Sequence, residues 1–473
     1  MLPHQPAYHF HAPAGWMNDP CGLMHRAGEY HVFYQYNPRA ARWGDIQWGH
    51  AVSSNLVDWT HLPVALAPTP GGADSGGCWT GCGVDDHGLP TLVYTGVRDL
   101  GSDQVATVCL AHSEDGLLTW QKAADNPVID GPPGDLVTLG FRDPFVWHDG
   151  ARWQLLMGAG LEGVGGAVLR YTSTDLHRWQ YAGPLYERPA EADGPLSTGY
   201  MWECPQLVKV GDRDVLIVSV HGREKGETQY SVYFVGHCTK GRFIPDGLYR
   251  MDHGPDYYAA SAMSEGAGRS VVWAWSWEAR TVEAQLRAGW AGTLALPRAV
   301  DLNRDGRLIF SPVPELASLR QGHVQLVDLA VPRETTPLAE FSGRAIELDI
   351  LVDVAGEECF DLDVLRSPNG AEFTRIRYDV SSGLLAIDRR MSSTDSATVK
   401  DMHVAPLLLD DSGRIPLRIF VDRSIVEVFS GDVSLTARVY PAGEESSGVA
   451  IGSRLGRARI LRLDGWTMRP VWT

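Results

Sequence analysis

Gly15-Trp16-Met17-Asn18-Asp19-Pro20-Cys21-Gly22 places one carboxylate between an amide and a proline, with aromatic and sulfur side chains around it. Fourteen to fifteen residues after Asp19 comes an apolar run, His31-Val32-Phe33-Tyr34-Gln35-Tyr36-Asn37. The pairing recurs twice. Asp143, in Phe141-Arg142-Asp143-Pro144, precedes Met157 of Leu155-Leu156-Met157 by 14 residues. Glu203, in Trp202-Glu203-Cys204-Pro205, precedes Val218 of Leu216-Ile217-Val218 by 15. Each acid has a proline within two positions, so the three open equivalent structural units.

Working outward, the first 300 residues carry a repeat of about 60 residues. Apolar runs centre on Tyr34, Tyr94, Met157, Val218 and Trp273, spaced by 60, 63, 61 and 55. A Ser-(Asp/Asn)-Leu-Trp theme follows three of them: Ser54-Asn55-Leu56 to Trp59, Ser113-Glu114-Asp115 to Trp120, and Ser173-Thr174-Asp175-Leu176 to Trp179. Short β-rich runs between Gly, Pro and Asp turns at this period are the signature of propeller blades. Five runs predict five blades over residues 1–310, and Gly289 to Arg298 reads as the strand that closes the last one. The innermost strand of each blade lines the axis, so Asp19, Asp143 and Glu203 should face one pocket. The matching offsets fall on Trp79-Thr80 and Tyr258-Ala259, which should wall it.

Residues 311–325, with Pro312, Pro314 and Leu316-Ala317-Ser318-Leu319, read as a linker with a short helical turn. Beyond it the period stops. Alternating runs such as Ile346-Glu347-Leu348-Asp349-Ile350 and Leu417-Arg418-Ile419-Phe420-Val421, with turns at Asp422-Arg423-Ser424 and Ser430-Gly431-Asp432, predict an antiparallel β-sandwich over 326–473. The fold class is therefore all-β.

At 473 residues the chain has room for two or three cores. A net charge of −17 disfavours nucleic acid or an anionic membrane, which both need a positive face. It suits a small neutral ligand. Met1-Leu2-Pro3-His4-Gln5-Pro6 has neither a basic region nor an apolar one, so a cytoplasmic protein is expected. Seven scattered cysteines read as reduced thiols. His4, His9, His11 and His50 lack metal-ligand spacing on any one element, and no metal is expected.

A lone Asp-Pro is ordinarily a turn. Three acids in register with a repeat are different, because gathering carboxylates on one axis costs desolvation and like-charge repulsion. Paired carboxylates flanking an oxocarbenium-like transition state are the equipment of glycoside hydrolysis. Arg142 beside Asp143 reads as a sugar-hydroxyl donor ahead of a structural ion pair. Trp43 and Trp79, in Gly- and Asp-rich loops, read as exposed to substrate, and Trp59, Trp120 and Trp179 as blade packing.

These motifs resemble the signatures of glycoside hydrolase family 32, the invertases, inulinases and levanases. The resemblance rests on Trp16-Met17-Asn18-Asp19-Pro20, Phe141-Arg142-Asp143-Pro144 and Glu203-Cys204-Pro205. Phe33-Tyr34-Gln35-Tyr36-Asn37-Pro38, Trp43-Gly44, Trp48-Gly49-His50 and Leu417 to Ser424 support it. It implies a five-bladed propeller with a C-terminal β-sandwich and retaining cleavage of β-fructofuranosides, without a cofactor. It implies Asp19 as nucleophile, Glu203 as acid/base and Asp143 as transition-state stabiliser. Asn18, Gln35, Trp43, Trp79, Thr80, Arg142 and Trp275 match positions lining the fructose subsite. The chain departs from the family's usual residues at Cys21 and at Trp79-Thr80-Gly81-Cys82.

The activity so implied is release of terminal fructosyl units from sucrose and short fructo-oligosaccharides. Fructosyl transfer, sucrose-6-phosphate hydrolysis and fructan exohydrolysis are the alternatives on the same scaffold. To act as an acid at neutral pH, Glu203 is expected to carry a raised pKa, through repulsion from ionised Asp19.

Overall fold

The computed structural model describes residues 2–472 except 102–103, 193, 195, 224–226, 266–267 and 410–411. Residues 15–312 form five successive sheets of four or five strands. Their first strands are β1 (Gly15–Arg26), β2 (Gly77–Asp86), β3 (Thr138–His148), β4 (Met201–Val210) and β5 (Tyr258–Ser264). Each pairs antiparallel with the strand after it, and those second strands carry the five apolar runs. First strands of consecutive sheets touch, and β5 also touches β1. The Gly289–Arg298 segment joins both ends of this series. Trp290–Ala291 pairs parallel with β1, while Thr293–Leu294 pairs with the second strand of the fifth sheet.

The repeat extends to backbone detail. Every first strand breaks register at the same place: between Met17 and Pro20, Trp79 and Gly81, Arg142 and Phe145, Glu203 and Gln206, and Tyr258 and Ser261. Such bulges bend a strand and re-aim its side chains. Asp143, Cys204 and Ala259 sit there with φ of 68°, 49° and 53°, a region costly for residues with a Cβ. The Ser-(Asp/Asn)-Leu theme is likewise one turn used three times. Asn55, Asp115 and Asp175 each accept backbone N–H groups just downstream, and Leu56, Leu117 and Leu176 follow with φ of 63–68°.

Close approach of the third and fourth sheets around Trp202 relies on glycine. A Cβ on Gly158 would lie 2.4 Å from the Trp202 carbonyl, and one on Gly166 2.1 Å from the Trp202 indole nitrogen. Those gaps let Trp202 bury completely between the third and fourth sheets.

The stretch expected as a linker is mostly structured. Ser311 and Pro312 end a strand, Pro314–Leu319 form a 3-10 turn, and Arg320 already begins the strand Arg320–Ala330. That strand belongs to a pair of six-stranded antiparallel sheets. The two sheets share one apolar core that includes Ile346, Leu348, Leu362, Ile376, Ile419 and Leu435.

The N-terminal segment ties the two halves together. Backbone N–H groups of Ala7, Tyr8 and His9 donate to the Asp422 carboxylate at 2.6–2.8 Å, in the turn the sequence marked. His9 is buried with Nδ1 2.9 Å from Asp422 and Nε2 3.1 Å from Glu427. Two carboxylate neighbours favour the doubly protonated ring and raise the His9 pKa. Glu427 also pairs with Arg298 at 2.6 Å. Phe10, Leu316 and Leu319 pack with Phe420, Phe429 and Met468 across the same boundary. No helix among the described residues is long and apolar enough to cross a membrane.

Candidate active site

The five bulges converge on a cavity of about 880 Å3, within the range of small-ligand sites. Asp19, Asp143 and Glu203 line it, brought from the first, third and fourth sheets. Asn18, Gln35, Trp43, Trp79, Arg142 and Trp275 line it as well. Thr80 does not; it is buried behind Asp19.

Asp19 is held by four donors. Trp16 Nε1 donates to Asn18 Oδ1 at 2.7 Å, which leaves the Asn18 amide nitrogen to donate to Asp19 Oδ1 at 3.0 Å. Thr80 Oγ1 and Gln35 Nε2 donate to Oδ2 at 2.5 and 3.2 Å, and the Cys204 thiol lies 3.7 Å from the same oxygen. Burial nevertheless dominates and, with the neighbouring Glu203 charge, raises the Asp19 pKa to about 6. The departures at 79–82 keep their shape: Thr80 supplies a hydroxyl to Asp19, and Cys82 Sγ accepts from the Val146 N–H.

Asp143 is buried, and its strained backbone is pinned by its own N–H, which donates to Thr95 Oγ1 at 2.8 Å. Its Oδ2 accepts from the Cys204 N–H at 3.0 Å, linking the third sheet to the fourth. Oδ1 has no partner among the described residues, and neither does the Trp275 indole N–H. Two residues of the cavity wall thus each keep one buried polar atom, an acceptor and a donor, without a partner. Burial raises the Asp143 pKa against the pull of Arg142, and repulsion from Glu203 and Asp19 adds to the rise.

Glu203 differs from expectation. Burial acts most strongly, to raise its pKa, but the Arg142 guanidinium, His221 and the Tyr258 hydroxyl together outweigh burial and hold it below the usual value. Arg142 Nε and Nη2 donate to Oε1 at 2.8 and 2.6 Å, and the Tyr258 hydroxyl donates to Oε2. The expected upward shift of Glu203 by Asp19 is therefore not found. Of the two guanidiniums on the cavity wall it is Arg142 that faces an acid of the site, so the charge stays on Glu203 and the two aspartates carry the proton affinity. Arg142 is here the ion-pair partner that the sequence reading ranked second.

Trp43 is 48 % exposed and meets Trp79 edge-on at 5.6 Å, whereas Trp59 is 9 % exposed. Trp79, Trp120 and Trp179 are all half-buried, so exposure alone does not separate the wall residue from the packing ones. Trp202 is core. Tyr258, His221, Gln104, Arg223 and Thr228 line the cavity outside the expected set, and Cys204, buried beneath the wall, reaches Asp19 and Asp143. Tyr258 was marked by its blade offset, and Cys204 sits inside a motif. His221 ends the second strand of the fourth sheet and had no signal; its Nδ1 bonds the Gly222 carbonyl at 2.9 Å, which turns Nε2 to the cavity side.

Among the described residues no cluster of His, Cys, Asp and Glu has the arrangement of a metal site. What the arrangement offers is acid–base and nucleophilic chemistry, with a half-exposed aromatic rim for a ring-shaped ligand.

Comparison with known proteins gives a consistent picture. The glycosyl hydrolases family 32 N-terminal domain matches residues 9–312, and the family 32 C-terminal domain matches 315–467. A sucrose-6-phosphate hydrolase from Zymomonas mobilis is 34 % identical over 94 % of this chain and 88 % of its own. A raffinose invertase from Escherichia coli is 33 % identical over 93 % of this chain and 90 % of its own. The crystal structure of fructan 1-exohydrolase IIa from Cichorium intybus superposes with a TM-score of 0.88 at 28 % identity, covering 99 % of this chain and 98 % of that one.

Proposed function

The chain belongs to glycosyl hydrolase family 32 and is a fructosyl-releasing, β-fructofuranosidase-type hydrolase, and from that premise we propose how its residues divide the work. Asp19 attacks the anomeric C2 of a terminal fructosyl unit as the Glu203 proton passes to the departing oxygen. The C2–O bond to the leaving group breaks as the C2–O bond to Asp19 forms. Water then attacks C2, Glu203 takes its proton, and fructose leaves with Asp19 restored as carboxylate. Two displacements at one carbon retain configuration.

Asp143 holds fructosyl hydroxyls through its unpaired Oδ1. Asn18, Gln35 and Thr80 orient the nucleophile, and Trp275, Trp43 and Trp79 wall the sugar. Glu203 can protonate a leaving group only once Arg142 lets go of it, so in the occupied site Arg142 turns to sugar hydroxyls and the proton moves from the aspartates to Glu203. The observation that carries this reading is the meeting of three acids from three sheets at one repeated bulge.

The five sheets are the blades of a five-bladed propeller. The order of contacts among their first strands supports this, as does the Trp290–Ala291 strand on β1. The propeller is the catalytic domain, residues 1–310, and 326–473 form a β-sandwich, with the 3-10 turn Pro314–Leu319 between them.

A closed axial pocket accepts one chain end, so the donors are sucrose and short fructo-oligosaccharides, cut from the fructosyl end. Relatives named for sucrose 6-phosphate make the phosphorylated donor the informative comparison. Chromatography of early products on sucrose, sucrose 6-phosphate, short inulin-type oligomers and levan tests this. Free fructose from the short neutral donors is expected. Internal fragments, difructose dianhydrides or a dominant yield of longer oligosaccharides would contradict it.

A further inference from the structure

The loop after the strand Leu384–Asp388, in the C-terminal sheets, carries Arg389, 3 % exposed. Its Nη1 donates to Asp256 Oδ2 at 2.5 Å and to the Arg438 carbonyl at 2.9 Å. Its Nε and Nη2 close on Asp401 at 2.6 and 3.2 Å. Asp256 belongs to the N-terminal half, two residues before Tyr258. Its Oδ2 also accepts from the Arg438 N–H at 2.6 Å, and its Oδ1 accepts from Trp277 Nε1 at 2.7 Å.

The Trp277 ring lies 5.5 Å from that of Tyr258, tilted by 32°, and 6.0 Å edge-on from that of Trp275. Tyr258 donates to Glu203, and Trp275 walls the cavity. A continuous series of contacts therefore runs from a guanidinium of the C-terminal sheets to the acid/base carboxylate. Every link is a hydrogen bond or a ring contact, and most of its members are buried.

We propose that Arg389 is a positioning residue for catalysis: through Asp256 and Trp277 it holds Tyr258 against Glu203, so the C-terminal sheets set the geometry of proton transfer. The physical basis is the cost of a buried carboxylate without its cation. Without Arg389, Asp256 takes up a proton or shifts, its bond to Trp277 weakens, and the ring that supports Tyr258 is no longer fixed. The loss falls on protonation of the leaving group. This rests on Glu203 being the acid/base.

The test uses the full-length protein and two donors: sucrose, whose leaving group needs a proton, and an aryl β-fructofuranoside with an acidic phenol, which does not. Arg389→Gln and Trp277→Phe should lower the sucrose-to-aryl ratio of kcat by about three- to tenfold, a fraction of a whole general acid. KM for sucrose should stay within about twofold. The alkaline limb of the sucrose kcat profile should move to higher pH, because a loosened Tyr258 donates less to the Glu203 carboxylate.

A general effect on folding is controlled by Glu357→Gln. Glu357 clamps loops of the same sheets by accepting from the Leu455 and Arg457 N–H groups, and none of those loops carries Arg389, Asp401 or Arg438. That variant should lower Tm and leave the ratio unchanged. If Arg389→Gln does not fold, Trp277→Phe, which removes one N–H and keeps a ring, gives the same reading.

Equal loss on both donors, or none, overturns the proposal. Glu203→Ala is run alongside. A donor-independent loss there overturns the acid/base role itself, whereas a donor-dependent loss there with a flat ratio for Arg389 and Trp277 overturns the positioning role alone.

Discussion

Arg142 closes on Glu203 through two nitrogens, at 2.8 and 2.6 Å, and holds the acid ionised while Asp19 keeps a raised pKa. The proton affinity of the site thus lies on the side opposite to where catalysis needs it. Asp19 must be ionised to attack, and its pKa stands at about 6 instead of near the ordinary carboxylate value. The acid limb of kcat/KM, which reports the free enzyme, should therefore fall as pH drops through about 6. A flat profile down to pH 4 would show that Asp19 is not so perturbed.

Thr80 is the donor whose removal should be felt most directly. Thr80→Val keeps the side-chain shape and deletes the hydroxyl that donates to Asp19 at 2.5 Å. A hydrogen bond to a charged group is worth about 1.5–3 kcal/mol, so kcat/KM at neutral pH should drop by about ten- to a hundredfold. The acid limb should also move upward, since the lost donor had favoured the carboxylate. An unchanged profile would remove Thr80 from the account.

The boundary between the halves should loosen in alkali. His9 is fully buried; burial acts to lower its pKa, but hydrogen bonds to Asp422 and Glu427 outweigh that and raise it above 6.5. A base with a raised folded pKa contributes stability that is complete below the unfolded pKa and is lost as pH rises through the folded one. Tm of the native protein should hold up to about pH 6.5 and decline above it. His9→Gln should start lower and show a flatter decline. Parallel curves for the two proteins would assign the alkaline loss to other groups.

A chain ending at Arg320 should not yield a sound catalytic half. It would expose Phe10, Leu316 and Leu319, which now pack against Phe420, Phe429 and Met468. It would also leave Arg298 buried without Glu427. Size-exclusion chromatography should find aggregate, and a soluble monomer with full activity would contradict this reading.

Much of this was legible in the sequence because a repeat fixes relative position without distances. The offsets from five apolar runs place Asp19, Trp79-Thr80, Asp143, Glu203 and Tyr258 at one backbone feature, and the register breaks fall there. The turn at Asp422 was readable as a turn. Its three N–H donors, 413–415 residues away, were not, since nothing local records a tertiary partner. The Glu203 pKa was misjudged for a similar reason. The sequence shows that acids are close, but not which of them the Arg142 guanidinium will face. His221 and Trp277 carry no motif, and only the packing of their strands brings them to the site.

The division of labour between Asp19 and Glu203 has one direct test. Glu203→Ala, given the aryl β-fructofuranoside, can still form the covalent intermediate, because that leaving group needs no proton, but lacks the base that hydrolyses it. Peptide mapping by mass spectrometry of the quenched enzyme should find a hexosyl adduct on the peptide bearing Asp19, and the adduct should disappear when azide is added as a nucleophile that needs no base. An adduct on any other residue, or turnover of this donor with inversion and no adduct, would contradict the account.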